Sequence, residues 1–544
     1  MTSKIHLSHF LVFLLVIFQG CQNEKGNEEK QAKRPNILFA ISDDQSFPHT
    51  SFAGSKFINT PAFDRIAKEG VYFLNCYAGS PGCAPSRSAI VTGRHHWQNE
   101  QSGQHASSWM KKHVPFVDEL AANGYAVGRT DKGVGPFQYA RDENDSLWRV
   151  EDAAGPGYMV AKYDKENDER FSSKIRNSNY AENFKYFMEN IREDRPFFYW
   201  FGCKEPHLKY EEESWKRRGK KLEDVEVPAF LPDNDIVRGD LLDYAVEIEW
   251  FDLHLQRMLA YLEEIGELDN TIVIVTSDNG MPFPRAKANC YDYGWHVPMA
   301  IRYPKEIKGG QISNTLISFI DLAPTILELT QTTPSSMLPM TGNSIWNMLI
   351  SGEEDKEKVA FGGRERHSSS RYKNWGYPQR SVRKGDYLYI WNAIPERWPA
   401  GAPQGIDKET GELNPLFDLF DEEKKIAGNI FSDIGPTPTK RFLVKNHQDA
   451  QTQKFLKLAC EKRPEFELYD VAKDMACLNN LAGKAEFESI EADLKTTLFN
   501  ELKETNDFRV SAEGYDTFDG YERYSPIRAF PKPDSSSLSD YLQN

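Results

Sequence analysis

Four short segments of this chain are apolar at nearly every position, and they are the strongest constraint on its fold. They read ILFAIS at residues 37–42, FFYWFG at 197–202, IVIVT at 272–276 and PMAI at 298–301. A strand that is apolar on both faces has to be covered on both faces, which is the condition of a parallel sheet. The intervening chain carries helical periodicity. Apolar residues fall at 241, 244, 245, 248, 251, 255, 258, 259 and 262, and Gly266 then offers a stop. Strands alternating with helices predict an α/β fold, a large mixed, mostly parallel sheet sandwiched by helices over residues 35–350. From about residue 351 aromatics and turn residues become denser, and hairpin-like stretches such as 386–391 (DYLYIW) occur. This predicts a smaller C-terminal α+β domain, residues 351–544, carrying an antiparallel sheet.

The start of the chain follows other rules. Lys4 precedes nine consecutive apolar residues, 10–18 (FLVFLLVIF). Nine is short of the ~20 needed to cross a bilayer and suits the apolar centre of a signal peptide, assigned to residues 1–20. Gly20-Cys21 resembles a bacterial lipoprotein cleavage site, at which Cys21 would be lipidated; ordinary secretion is the alternative. Residues 21–34 are polar and free of aromatics, as expected of a flexible tether. The expected location is outside the cytoplasm, anchored to a bacterial membrane by lipid alone or soluble in the periplasm. With 66 Lys and Arg against 81 Asp and Glu the net charge is −15. That balance argues against nucleic acid as a partner, which calls for a basic footprint. Seven cysteines are too few for a disulfide framework and odd in number.

Asp43 and Asp44 follow the first apolar run directly, and Asp278 and Asn279 follow 271–277 (TIVIVTS) in the same way. Ligands of open α/β sheets collect beyond the carboxyl ends of the strands. Three carboxylates and an amide oxygen are hard donors, suited to Ca²⁺, or less well to Mg²⁺. Asp and Asn are also common turn formers and caps, so each pair taken singly fits that role as well. Cys83 lies in 81–94 (PGCAPSRSAIVTGR), at the mouth of a helix that Pro85 helps to start, where free N–H groups favour an anion. Arg87, one turn on, can reach back to it. From the residues alone, Cys83 fits a thiolate nucleophile or a disulfide with Cys76.

Cys83-Ala84-Pro85-Ser86-Arg87 with Thr92-Gly93 resembles the C-x-P-S-R-x(4)-T-G signature of the type I, formylglycine-dependent sulfatases. The resemblance extends over 34–44 (RPNILFAISDD), 60–70 (TPAFDRIAKEG), 276–280 (TSDNG) and 466–482 (FELYDVAKDMACLNNLA), and so covers most of the chain. It implies an alkaline-phosphatase-like fold and a sulfuric ester hydrolase. It implies that a maturase oxidises Cys83 to formylglycine (3-oxoalanine), whose hydrated aldehyde attacks the sulfur of the substrate. It further implies that Asp43, Asp44, Asp278 and Asn279 hold a Ca²⁺ that also touches residue 83. Arg87, Lys132 in 128–136 (GRTDKGVGP) and Lys287 in 284–291 (PRAKANCY) would surround the sulfate, and His207 would protonate the leaving oxygen. One position departs from the pattern. The family histidine two residues after the lysine is replaced by Val134, or by Gly133 in a shifted alignment, and His95, His96 and His105 are the nearest substitutes.

Residues 195–207 (RPFFYWFGCKEPH), 276–284 (TSDNGMPFP) and 321–327 (DLAPTIL) resemble the heparan N-sulfatase (sulfamidase) branch, which includes bacterial enzymes acting on algal polysaccharides such as ulvan. The expected partner is therefore a sulfated polysaccharide or its oligosaccharides, with N-sulfoglucosamine cleavage as the alternative. Arg364 to Arg371, with Arg380 and Arg383, are expected either to hold acidic sugars or to form a solvated basic face. Two other classes remain open: a phosphoester or phosphonate hydrolase of the same superfamily, and a catalytically dead surface glycan-binding protein. If Cys21 and Cys83 are both modified, five cysteines remain (76, 203, 290, 460 and 477), so at least one should be a buried free thiol.

Overall fold

The apolar runs assemble into one seven-stranded sheet. In the computed structural model the described residues are 33–139, 149–407, 409–419, 430–524 and 530–543. The signal peptide, Cys21 and nearly all of the tether lie outside them. The strands are β1 (Asn36–Ser42), β2 (Val71–Phe73), β3 (Ala126–Asp131), β4 (Phe197–Gly202), β5 (Thr271–Ser277), β6 (Met299–Arg302) and β7 (Gln311–Ser313). Their order across the sheet is β7-β2-β6-β5-β1-β4-β3. The pairs β3–β4, β4–β1 and β1–β5 are parallel.

The burial pattern explains why β1 is apolar throughout. Ile37, Phe39 and Ile41 enter one core, and Leu38 and Ala40 enter the core on the opposite face. The first core is covered by α2 (Cys83–Thr92), α3 (Phe116–Ala122) and α6 (Leu322–Leu329), the second by α1 (Pro61–Glu69), α4 (Tyr180–Asn190) and the thirty-residue α5 (Asp235–Glu264). Strand β6 departs from the parallel pattern, pairing antiparallel with both β5 and β2. The chain between β5 and β6, with only the four-residue helix Asp292–Trp295, re-enters the sheet where it left, Met299 pairing with Thr276, so β6 runs back antiparallel.

Beyond residue 351 the expected antiparallel sheet is present. It consists of β8 (Ala360–Arg364), β9 (Gln379–Lys384), β10 (Tyr387–Asn392) and β11 (Phe466–Asp470), each paired with the next. Helix α8 (Glu488–Glu504) lays Leu494, Leu498 and Leu502 on it, against Val382, Tyr389 and Leu468. Residues 34–544 cluster as one compact unit. Among the described residues no helix is long and apolar enough to cross a membrane.

The arginine-rich stretch is neither a sugar clamp nor a solvated face. Arg364 and Arg371 are both ion-paired to the buried Asp433. Arg380 is fully buried between Glu365, at 2.8 Å, and Asp507, while Arg509 pairs with Glu365 and Asp519. Arg366 donates to the carbonyl of Tyr521 and Arg383 to the hydroxyl of Tyr77. These guanidinium groups join the C-terminal segments to the antiparallel sheet, which a buried charge can do only when a carboxylate or carbonyl meets it.

Candidate active site

The carboxyl ends of four adjacent strands converge on one cleft. Asp43 and Asp44 follow β1, Asp278 and Asn279 follow β5, Lys132 follows β3, and the loop after β4 carries His207. Register makes this convergence inevitable: Ser42 lies beside Ser277, and Gly202 beside both Ile41 and Asp131. Gly202 is required for the approach of β3. A Cβ there would stand 1.7 Å from the carbonyl oxygen of Lys132. Asp44 adopts a positive φ of 78°, held by its own N–H donating to Asp278 Oδ1 at 3.1 Å.

Helix α2 points its N-terminus into this cleft, with Gly82 as its N-cap and Cys83 as its first residue. All ten residues of α2 are buried, and Gly93 closes it in the left-handed conformation. Cys83 is 2% exposed, and its Sγ lies 3.5 Å from Lys287 Nζ. Burial pushes the thiol up to about 12, against the opposing charges of Lys132 and Lys287. A thiol in that condition is protonated at neutral pH and is not an activated nucleophile. The disulfide with Cys76 is also absent: Cys76, Cys83, Cys203, Cys290, Cys460 and Cys477 are all free and buried.

Charges of both signs meet at the helix mouth. Arg87 Nε donates to Asp278 Oδ2 at 2.6 Å, and its Nη1 donates to the carbonyls of Lys132 and Gly133. Lys132 Nζ lies 2.5 Å from Asp43 Oδ2 and 3.5 Å from Asp278 Oδ2. Lys287 Nζ donates to Asp44 Oδ2 at 2.6 Å, and Asn279 Nδ2 donates to Asp44 Oδ1 at 2.7 Å. Burial by itself would raise the Asp43 carboxyl, but Lys132, His207 and Arg87 hold it below the ordinary carboxylate range. His207 Nε2 stands 3.9 Å from Asp44 Oδ2, and 34% of its side chain is exposed. Burial first, then Lys287, pulls its pKa below the usual histidine value.

The oxygen donors suit a hard cation. Asp43, Asp44 and Asp278 each offer an oxygen within 4.8 Å of the others, and Asp43, Cys83 and His207 form a second such group. Asp43 Oδ1 and Asn279 Oδ1 are buried and have no hydrogen-bond partner among the described residues. Two orphaned oxygens among three carboxylates fit a bound divalent metal better than a self-contained ion-pair cluster.

The residues expected to hold the metal and the sulfate thus come together, Cys21 lying outside the described residues, but the histidine substitutes separate. His95 is turned away, its Nε2 3.0 Å from Glu501 and its ring stacked on Trp97. His96 is buried beside Arg380, its ring edge-on to Trp97. His105 remains, and the structure adds His367, a residue sequence reasoning left inside the arginine-rich stretch. Their ring centroids lie 5.4 Å apart. A Cβ on Gly82 would lie 3.4 Å from His367 Nδ1, so this ring stands against the N-cap of α2. Burial, followed by the charges of His367, Arg523, Lys287 and Lys132, drives the His105 pKa well below its ordinary value. No local signal marks His367, because about 280 residues of chain separate it from Cys83.

Comparison with known proteins gives the family. The family model described as Sulfatase matches residues 35–332, more than half of the chain. The chain belongs to the sulfatase family. As a sulfatase it is a sulfuric ester hydrolase, and the segment matched runs from β1 through the helix α6 that backs α2. A second model, N-sulphoglucosamine sulphohydrolase, C-terminal, matches residues 286–379. An ulvan-active sulfatase of Formosa agariphila is 25% identical over 515 residues, covering 88% of this chain and 76% of the relative. The human N-sulphoglucosamine sulphohydrolase is 26% identical over 402 residues, covering 66% of this chain and 74% of the relative. Among solved structures, BT4656 in complex with its substrate D-glucosamine-2-N,6-O-disulfate superposes with a TM-score of 0.56 at 20% identity, covering 87% of this sulfatase and 99% of that chain. That likeness establishes the shared sulfatase fold, a mostly parallel sheet between helices with a C-terminal antiparallel sheet.

Proposed function

We propose that this sulfatase removes sulfate esters from a sulfated polysaccharide or its oligosaccharides, with ulvan-type algal polymers as the first choice. Cys83 would act after conversion to formylglycine by a maturase, and Asp43, Asp44, Asp278 and Asn279 would hold Ca²⁺. The observation that carries this reading is the meeting of Cys83, three cations and four hard oxygen ligands at the mouth of α2. Two relatives that are ulvan-active sulfatases support the substrate class. The match of residues 286–379 to the sulphoglucosamine C-terminal model favours a second reading, cleavage of N-sulfoglucosamine.

The residues divide the work by position. Arg87, Lys132 and Lys287 would bind and orient the sulfate group, their charges offsetting the negative charge that builds on its oxygens. Sulfur of Cys83 is a soft donor beside hard carboxylates, so a side chain ending in oxygen suits the same site better. The modified residue supplies a hydrated aldehyde as nucleophile, and the metal supplies Lewis-acid stabilisation of negative charge. His207, partly exposed, would hold the proton delivered to the leaving oxygen. His105 and His367 would occupy the role of the family histidine replaced by Val134. His105→Ala is accordingly expected to lower kcat by about 10²-fold, with an unchanged circular dichroism spectrum and metal content; wild-type kcat would remove His105 from the reaction.

The deciding experiment is sulfate release by the protein co-expressed with a maturase, across ulvan, carrageenan, fucoidan and heparan oligosaccharides. Inorganic sulfate from ulvan oligosaccharides is expected. Release from N-sulfated heparan oligosaccharides alone would establish the second reading. No release from any of the four, with the aldehyde present at residue 83, would overturn both.

A further inference from the structure

A second cavity, of about 570 Å³, opens between the loop after β5 and α7 (Ala450–Cys460) with the segment that follows it. It is an open depression of the surface rather than an enclosed pocket. In a chain of net charge −15 it is lined by five cationic side chains, Arg285, Lys454, Lys457, Lys462 and Arg463.

Its two carboxylates are satisfied from within. Glu461 accepts from the backbone N–H groups of Lys462, Leu538 and Ser539. Glu467 accepts from the hydroxyls of Tyr291 and Tyr469 and from the amide of Asn392. The cations are less well supplied. Arg285 is 4% and Arg463 9% exposed, and the Nε of each has no hydrogen-bond partner among the described residues. Lys454 and Lys457 have no carboxylate partner among the described residues, whereas Lys462 pairs with Asp534. The Nη groups of Arg285 and Nη2 of Arg463 are met by backbone carbonyls, so what is left for a ligand that brings anionic oxygens is the two Nε–H groups and, more accessibly, the ammonium groups of Lys454 and Lys457.

We infer that this cavity is an accessory binding site for an anionic glycan segment, one bearing sulfate or carboxylate groups, separate from the catalytic cleft. The inference rests on the reading of the substrate as a sulfated glycan. One loop serves both places. Residues 278–291 contribute Asp278, Asn279 and Lys287 to the catalytic centre, and Arg285 and Tyr291 to the cavity. Arg285 is fastened there, with its Nη groups on the carbonyls of Leu458 and Cys477. A polyanionic chain repelled by the overall negative field would gain a local foothold, and its retention would raise the local concentration of sulfate groups at the cleft.

The test is the double charge reversal Lys454→Glu/Lys457→Glu, with Lys454→Gln/Lys457→Gln as the milder control for folding. Turnover of long ulvan chains and of a small aryl sulfate is measured for both variants and for wild type. The charge reversal should raise KM for the polymer about tenfold, leave aryl sulfate turnover within about twofold of wild type, and exceed the effect of the Gln pair. Binding of ulvan and heparin oligosaccharides to each variant in a Cys83→Ala background, followed by titration calorimetry, reads the cavity without turnover. A wild type that cleaves the aryl sulfate but not ulvan would sink the substrate reading and leave the binding comparison to decide the site. Equal affinities for both glycans in the reversed and unreversed proteins would overturn the accessory site.

Discussion

Cys83→Ala is expected to abolish sulfate release, by about 10⁴-fold or more, while the protein remains folded. The side chain is 2% exposed and its Sγ touches Lys287 Nζ at 3.5 Å. Removing one sulfur atom from such a position costs stability on the order of 1 kcal/mol. The helix it begins is held elsewhere, by the burial of all its residues and by Asn99 donating to the hydroxyls of Ser88 and Thr92. Activity should therefore vanish with little movement of the thermal midpoint. Mass spectrometry of the residue-83 peptide from maturase-expressing cells should show the thiol replaced by an aldehyde oxygen. Undiminished turnover by Cys83→Ala would refute the mechanism. A plain thiol mass in fully active wild-type protein would refute the modification alone.

Asp278→Asn should have the second largest effect, and on two readouts at once. Asp278 is fully buried and accepts from Arg87 Nε at 2.6 Å, from the Asp44 N–H at 3.1 Å and from Lys132 Nζ at 3.5 Å. Neutralising it leaves the guanidinium of Arg87, itself 0% exposed, without its countercharge. Breaking one side of a buried pair typically costs about 3–5 kcal/mol. It also removes one of the three carboxylates proposed to hold Ca²⁺, so turnover should fall by about 10³-fold and bound calcium should drop below one per chain. Exhaustive chelation of wild type should reproduce the loss of activity without the full loss of stability, because Arg87 keeps its partner. A variant that retains stoichiometric calcium and wild-type turnover would exclude Asp278 as a ligand.

Much of the centre was legible because its parts are local. Asp43, Asp44, Asp278 and Asn279 each stand directly after a fully apolar strand, and Cys83 and Arg87 share one turn of helix. A strand end or a helix start is written in a handful of consecutive residues, so its chemistry can be read beside it. Lys132, His207 and Lys287 carry no such local mark and were placed by the family resemblance; the structure brings all three to the cleft. His105 and His367 became a pair only through folding, as did the rejection of His95 by Glu501 and of His96 by the core. The arginines show the limit most clearly. Arg380 meets Asp507 across 127 residues, and Arg371 meets Asp433 across 62.

The sequence by itself determined the doubly covered sheet and the end of it at which Asp43, Asp44, Asp278, Asn279 and Cys83 gather. Each of these follows from residue order within a strand, a turn or a helix mouth, where the backbone sets the spacing. Only the tertiary structure decided which of many cations are structural and which are free to meet an anion. Whether an arginine is a buried tie or a binding group depends on a carboxylate that arrives from a distant segment, and on whether water still reaches it. That distinction turned residues 364–383 into a scaffold and left Lys454 and Lys457 at the rim of a cavity with no carboxylate partner among the described residues.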